Sequence, residues 1–230
     1  MTGFLISSLL LFLVWLGIYF YSVPTRKEQL IMSVVGLILS PGIIAIMAQD
    51  YRNILSTATA SVGIEDLLFS FSLFGIAAVV YQVVFGQHMH KVPKHKIEAS
   101  HPIAHWGIHL VLILGLWACA TLLMVEIFNL FSVHALALGG MMIGIYVIAD
   151  RHDLLTDALF TGLFLAILVF LVEQIFFVRL FPETASVFWN VEATRSFLIG
   201  GVPLQEMLWA AVVGFSIGPL YEWLRRFELK

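Results

Sequence analysis

Apolar residues run through this chain in blocks of about twenty, separated by short polar or basic stretches. A helix needs about 20 mainly apolar residues to cross a bilayer core. The pattern therefore predicts seven spanning helices, over residues 3–22, 29–48, 65–86, 104–125, 131–149, 155–178 and 203–223. Pro41-Gly42 and Gly139-Gly140 fall inside two of these blocks. Neighbouring helices can satisfy the backbone groups that such residues free. The first block lacks a basic leader and a small-residue cleavage site before Ser22, so it is expected to be a retained span.

Composition agrees with this pattern. Sixty per cent of the residues are hydrophobic, 12% are charged, and mean hydropathy is +0.97. Soluble domains carry roughly a quarter charged residues, so the expected class is an all-α polytopic membrane protein in the cell membrane. A net charge of -3 with no polybasic tract argues against nucleic acid as a partner. Cys119 is the single cysteine, which excludes disulfides within the chain and cysteine-rich metal sites, and it is expected to be a packing residue. The basic residues also fall unequally about the predicted spans. Arg26, Lys27, Lys91, Lys94, Lys96, Arg151, Arg225, Arg226 and Lys230 lie on one side, and Arg52, Arg179 and Arg195 on the other. Nine against three puts the N-terminus outside and the C-terminus in the cytoplasm.

One phrase occurs twice. Residues 61–69 read SVGIEDLLF and residues 201–209 read GVPLQEMLW, 140 positions apart. In that register Gly63 falls on Pro203, Glu65 on Gln205, Asp66 on Glu206, Phe69 on Trp209 and Tyr81 on Tyr221. Upstream, RKEQL (26–30) matches RHDLL (151–155) at a spacing of 125, which leaves 15 extra residues around RLFPETASVFWN. The expectation is one membrane domain, 1–230, built of two three-helix repeats. The first covers 1–90, a linker helix covers 101–127, and the second repeat covers 130–230. Because the linker is a single span, the repeats run parallel, related by an axis along the membrane normal.

With this arrangement the acids Asp50, Glu65, Asp66, Glu126, Glu173 and Glu206 all fall toward the outer face. Ionisable groups in a membrane are costly and face a bundle interior or a cavity. A carboxylic acid there can act as a general acid beside a carboxylate base. Carboxylates at helix starts also cap free N–H groups and complement the helix dipole. That second reading accounts for Glu65, Asp66 and Glu206 without chemistry.

The doubled P-x-E-E/D phrase opening a span, with Asp50 in AQDYRN closing the second helix, resembles the lycopene cyclase domain family. These are cofactor-independent membrane cyclases, and the likeness covers essentially the whole chain. Gly63 stands where the family pattern has its first Pro, and Gln205 where it has the first acid of the second motif. The resemblance implies a carotenoid cyclase that isomerises a linear isoprenoid end to a ring by acid/base chemistry, with no cofactor and no metal. It implies catalytic roles for Glu65, Asp66 and Glu206, with Glu65 and Glu206 as acid and base and Asp66 tuning them. Asp50, Glu173 and Gln205 would support them, and Phe69, Tyr81, Trp209 and Tyr221 would line the cavity. Its partners would be a hydrophobic isoprenoid or carotenoid substrate and membrane lipid, and an oligomer is compatible with the sequence.

Rival patterns are weaker. His101, His105 and His109 share one helix face, with His88, His90 and His95 upstream, but the His-His boxes of membrane di-iron enzymes are absent. A headgroup-facing loop explains them. Asp150, Asp153 and Asp157 are spaced like one diphosphate–magnesium motif, yet no second Asp-rich motif follows, and a solvated helix start is expected. The last span contains no Lys for a retinal Schiff base. A non-catalytic carotenoid- or lipid-binding membrane protein, or a complex subunit on the same scaffold, stays open because of Gly63 and Gln205.

Overall fold

Helices dominate because each long apolar block can satisfy its backbone only internally when water is excluded. The computed structural model describes residues 2–51, 62–86, 89–91, 102–194 and 196–229. The long helices are α1 (Thr2–Tyr21), α2 (Arg26–Met47), α3 (Ile64–Phe85), α4 (Pro102–Glu126), α5 (Ser132–Asp150) and α6 (Leu155–Glu173). A π-helical stretch, Gln174–Leu180, extends α6. Two short helices follow, α7 (Pro182–Phe188) and α8 (Val191–Thr194), then α9 (Leu204–Ile217) and α10 (Leu220–Arg225). Among the described residues seven segments are long and apolar enough to cross a membrane, so the chain is a predominantly helical membrane protein. Minor antiparallel pairs join β1 (Met89–Lys91) to β4 (Phe227–Leu229) and β2 (Leu198–Ile199) to β3 (Val202–Pro203).

α3 and α9 form the centre of the bundle. α3 packs against α1 and α2, α9 packs against α5 and α6, and α3 also meets α6 and α9. Leu73, Phe74, Ile76 and Val79 of α3 and Ala210, Val213 and Ile217 of α9 are buried in the main core. Glycines permit the closest approaches. A Cβ on Gly214 would lie 2.5 Å from the Thr161 carbonyl oxygen of α6, and one on Gly75 would run into the Trp15 indole nitrogen. Trp15 donates its N–H to Ser33 Oγ at 2.8 Å, and Gln29 Nε2 donates to the Trp15 carbonyl at 2.9 Å. These bonds lock α1 to α2 in surroundings where an unmade bond is costly.

Three details depart from the periodic reading. The seventh span is interrupted between α9 and α10 at Gly218-Pro219, because Pro cannot supply the N–H that a continuous helix needs. The extra segment around RLFPETASVFWN folds into α7 and α8. Cys119 is exposed on α4 instead of packed in the core. α4 lies at the periphery against α5 and α10, so much of its surface faces outward.

Candidate active site

The two phrases that open α3 and α9 begin their helices in the same way. Gly63 is the N-cap of α3, at φ -74° and ψ 161°, and Pro203 is the N-cap of α9, at φ -62° and ψ 133°. Asp66 and Glu206 therefore occupy the same third helical position. Their partners differ. Asp66 Oδ2 accepts the Gly63 backbone N–H at 2.9 Å, the reaching-back half of a capping box. Proline has no backbone N–H, so Glu206 has no such bond to make with Pro203. Its Oε1 instead accepts the Trp189 indole N–H at 3.0 Å, and both residues are buried.

Trp189 is delivered by the extra segment. It follows α7 directly, and its ring packs 5.3 Å from Phe177. The next residue ties the segment down: the Asn190 backbone N–H donates to the Tyr51 carbonyl at 2.9 Å, and Asn190 Nδ2 donates to the Asp50 carbonyl at 3.2 Å. The Asp50 side chain accepts from the Ser132 backbone N–H at 2.8 Å and from its hydroxyl. Asp50 thus caps α5 and holds the end of α2 to the second half of the chain.

Around Glu206 the structure gathers buried polar groups. Glu173, at the end of α6, is buried, interacts electrostatically with Glu206, and leaves Oε2 without a hydrogen bond. Tyr51 is 1% exposed, and its hydroxyl lies beside the Glu206 carboxyl. Burial, with the nearby Glu206 and Glu173 charges, pushes the Tyr51 phenol well above its ordinary range. Gln205 Oε1 and Trp209 Nε1 are also buried without partners. Native proteins satisfy most buried polar atoms; unsatisfied ones gather here and also at the opposite end, at Glu28 Oε1, Asp157 Oδ2 and Glu222 Oε2.

Aromatic rings adjoin the acids. Phe69 and Trp209 stack at 6.5 Å between centroids, and Phe4 touches Phe69 at 5.7 Å and Phe177 at 6.0 Å. Glu65 is half-buried, and its carboxyl lies over Gly63, where a Cβ would come within 2.6 Å of it. Beside the start of α3 runs a groove of about 330 Å³ lined by Phe12, Leu37, Ile64, Leu67, Leu68 and Phe71. Glu126 is exposed and stands apart. Tyr81 and Tyr221 do not join Phe69 and Trp209. Tyr81 packs against Phe85 and Phe160 near the other end of α3, about 24 Å along the helix from Glu65 at 1.5 Å per residue.

That opposite end holds a second buried acidic group. Gln82 Nε2 donates to Glu28 Oε2 at 2.9 Å and to Glu222 Oε1 at 2.6 Å. Glu28 and Glu222 are fully buried, and Asp157 lies close enough to interact with both. Asp157 is therefore not part of a solvated helix start; its Oδ1 accepts from Thr161 Oγ1 at 3.0 Å inside the bundle. Its neighbours do meet the surface: Asp153 pairs with Arg151 at 2.5 Å, and Asp150 accepts the Trp223 indole N–H at 2.8 Å. Among the described residues no group of three His, Cys, Asp or Glu side chains is placed to hold a metal ion. His88, His95 and His101 lie outside the described residues. His109 packs against Trp223 at 6.3 Å.

Residues 128–224 match the family model described as lycopene cyclase. Over these residues, fewer than half of the chain, the sequence is similar to the lycopene cyclase family. The matched segment runs from just before α5 into α10 and contains Glu173, Trp189, Gln205 and Glu206, whereas Glu65 and Asp66 precede it. At family level this supports a carotenoid cyclase type of function and a hydrophobic carotenoid substrate. No curated protein and no solved structure matches the chain.

Proposed function

We propose that the chain is an intramembrane cyclase acting on a linear carotenoid or related isoprenoid end. The observation that carries this reading is Glu206: an acid at the start of a span, barred from capping by Pro203 and held by Trp189 beside Glu173. In the reaction a carboxylic acid adds its proton to a terminal C=C. The electrons of a second C=C then close the six-membered ring through a new C–C bond. A carboxylate removes a proton from the resulting cation and restores a C=C. Atoms and electrons balance as an isomerisation.

The indole N–H favours Glu206 as the accepting carboxylate, because a donor bonds a charged oxygen more strongly than a neutral one. Glu173 then supplies the proton. Glu65, expected from the sequence to pair with Glu206, stands near the apolar groove and is the second candidate donor. The faces of Phe69 and Trp209 can stabilise the cation. The test is pigment analysis in lycopene-accumulating cells. Wild type is expected to give cyclised product, and Glu173→Gln to lower it by about 100-fold or more. If Glu65→Gln alone abolishes product while Glu173→Gln does not, the donor is Glu65.

A binding protein without catalysis is the second reading, favoured by one observation: the Gly63 N–H engages Asp66 as a cap. Lycopene that co-purifies unchanged with wild type, with no cyclised product, would support it.

A further inference from the structure

Acid/base cyclisation leaves the enzyme in the wrong state for a second turnover. The donor, Glu173, ends ionised, and the acceptor, Glu206, ends protonated. A proton must return from one to the other. Exchange with bulk water is a poor route, because Glu173 is 4% exposed, Glu206 5% and Tyr51 1%. The buried Tyr51 hydroxyl lies beside the Glu206 carboxyl and also interacts electrostatically with Glu173, whose Oε2 has no hydrogen-bond partner. The Tyr51 carbonyl accepts the Asn190 N–H, and the preceding Trp189 bonds Glu206, so the same short segment holds both Tyr51 and Glu206.

We propose that the Tyr51 hydroxyl is a proton-return relay between Glu206 and Glu173, a role that rests on the cyclase reading. The phenol oxygen accepts the proton carried by Glu206 while the phenol's own proton passes to Glu173 Oε2. One O–H bond forms and one breaks at Tyr51, which ends unchanged, and both acids return to their starting states. Burial and whichever neighbouring acid is ionised keep the phenol protonated, so the relay proceeds in one concerted exchange without a lasting phenolate. A proton taken from one substrate molecule is thereby delivered to the next.

The experiment compares wild type and Tyr51→Phe in liposomes loaded with lycopene, prepared in H2O and in D2O. Wild type in D2O is expected to yield rings carrying well under about one deuterium each, because the proton is recycled internally. Tyr51→Phe is expected to keep its first turnover within about twofold, to lose about 10–100-fold in steady-state rate, and to approach one deuterium per ring. The isotope pattern of wild type needs no variant and decides the matter if Tyr51→Phe does not fold. Full deuteration by wild type, or an unchanged rate and isotope content in Tyr51→Phe, would overturn the relay. Absence of any ring product from wild type would remove the cyclase reading and the relay with it.

Discussion

Asp66 and Glu206 hold the same position on two helices and do different things. Behind Asp66 stands Gly63, whose N–H draws the carboxylate back onto its own helix. Behind Glu206 stands Pro203, which offers nothing to accept, and the carboxyl turns to Trp189. Both N-cap residues have nearly the same φ, -74° and -62°, so backbone shape does not separate them. One hydrogen does. The lesson is that a proline before an acidic helix start keeps the acid from being used as a cap and leaves it available for chemistry.

Several substitutions break or sharpen this contrast. Trp189→Phe keeps the ring and removes the donor to Glu206. A hydrogen bond to a charged group contributes about 1.5–3 kcal/mol, so turnover should fall about 10–100-fold with little change in KM, read from initial rates. Pro203→Gly returns an N–H to the N-cap and lets Glu206 fold back. A cap bond is worth about 1 kcal/mol, so activity should drop about fivefold, with protein yield maintained. On the other helix, Asp66→Ala and Gly63→Pro each remove the same cap bond, at about 1 kcal/mol of stability. Thermal midpoints in detergent should show the double variant no worse than the single ones, because the bond can be lost only once. Additive losses would show that Asp66 is held by something other than Gly63. The smallest effect is expected from Glu222→Gln at the opposite end, where product yield should stay at the wild-type level. A large loss there would move the chemistry away from Glu206.

Much of this was legible in the sequence for identifiable reasons. The spans are readable because apolar length in a membrane is a backbone constraint, and seven segments lie within a few residues of the expected ranges. The two acidic helix starts are readable because an acid at such a boundary needs a reason. A catalytic Asp66 and a capping Asp66 make the same demand on sequence; the Gly63 N–H shows the cap and leaves the catalytic role to the substitutions above. Trp189 and Tyr51 carried no signal. They sit in or beside irregular segments whose periodicity says nothing, and they reach Glu206 through contacts between residues far apart in the chain. The buried group of Glu28, Gln82, Asp157 and Glu222 was equally hidden, since a charged helix start reads as solvated until another helix covers it. Signals that depend on a single element survive in sequence; those that depend on which elements meet do not.

The most direct measurement compares Glu206→Gln with Asp66→Asn in the same lycopene-accumulating cells, with pigments separated by chromatography. Both changes remove one negative charge from the third position of a span, and Asn can still accept the Gly63 N–H. The prediction is that Glu206→Gln loses cyclised product by about 100-fold or more, while Asp66→Asn retains it. Equal losses, or undiminished product from Glu206→Gln, would contradict the account.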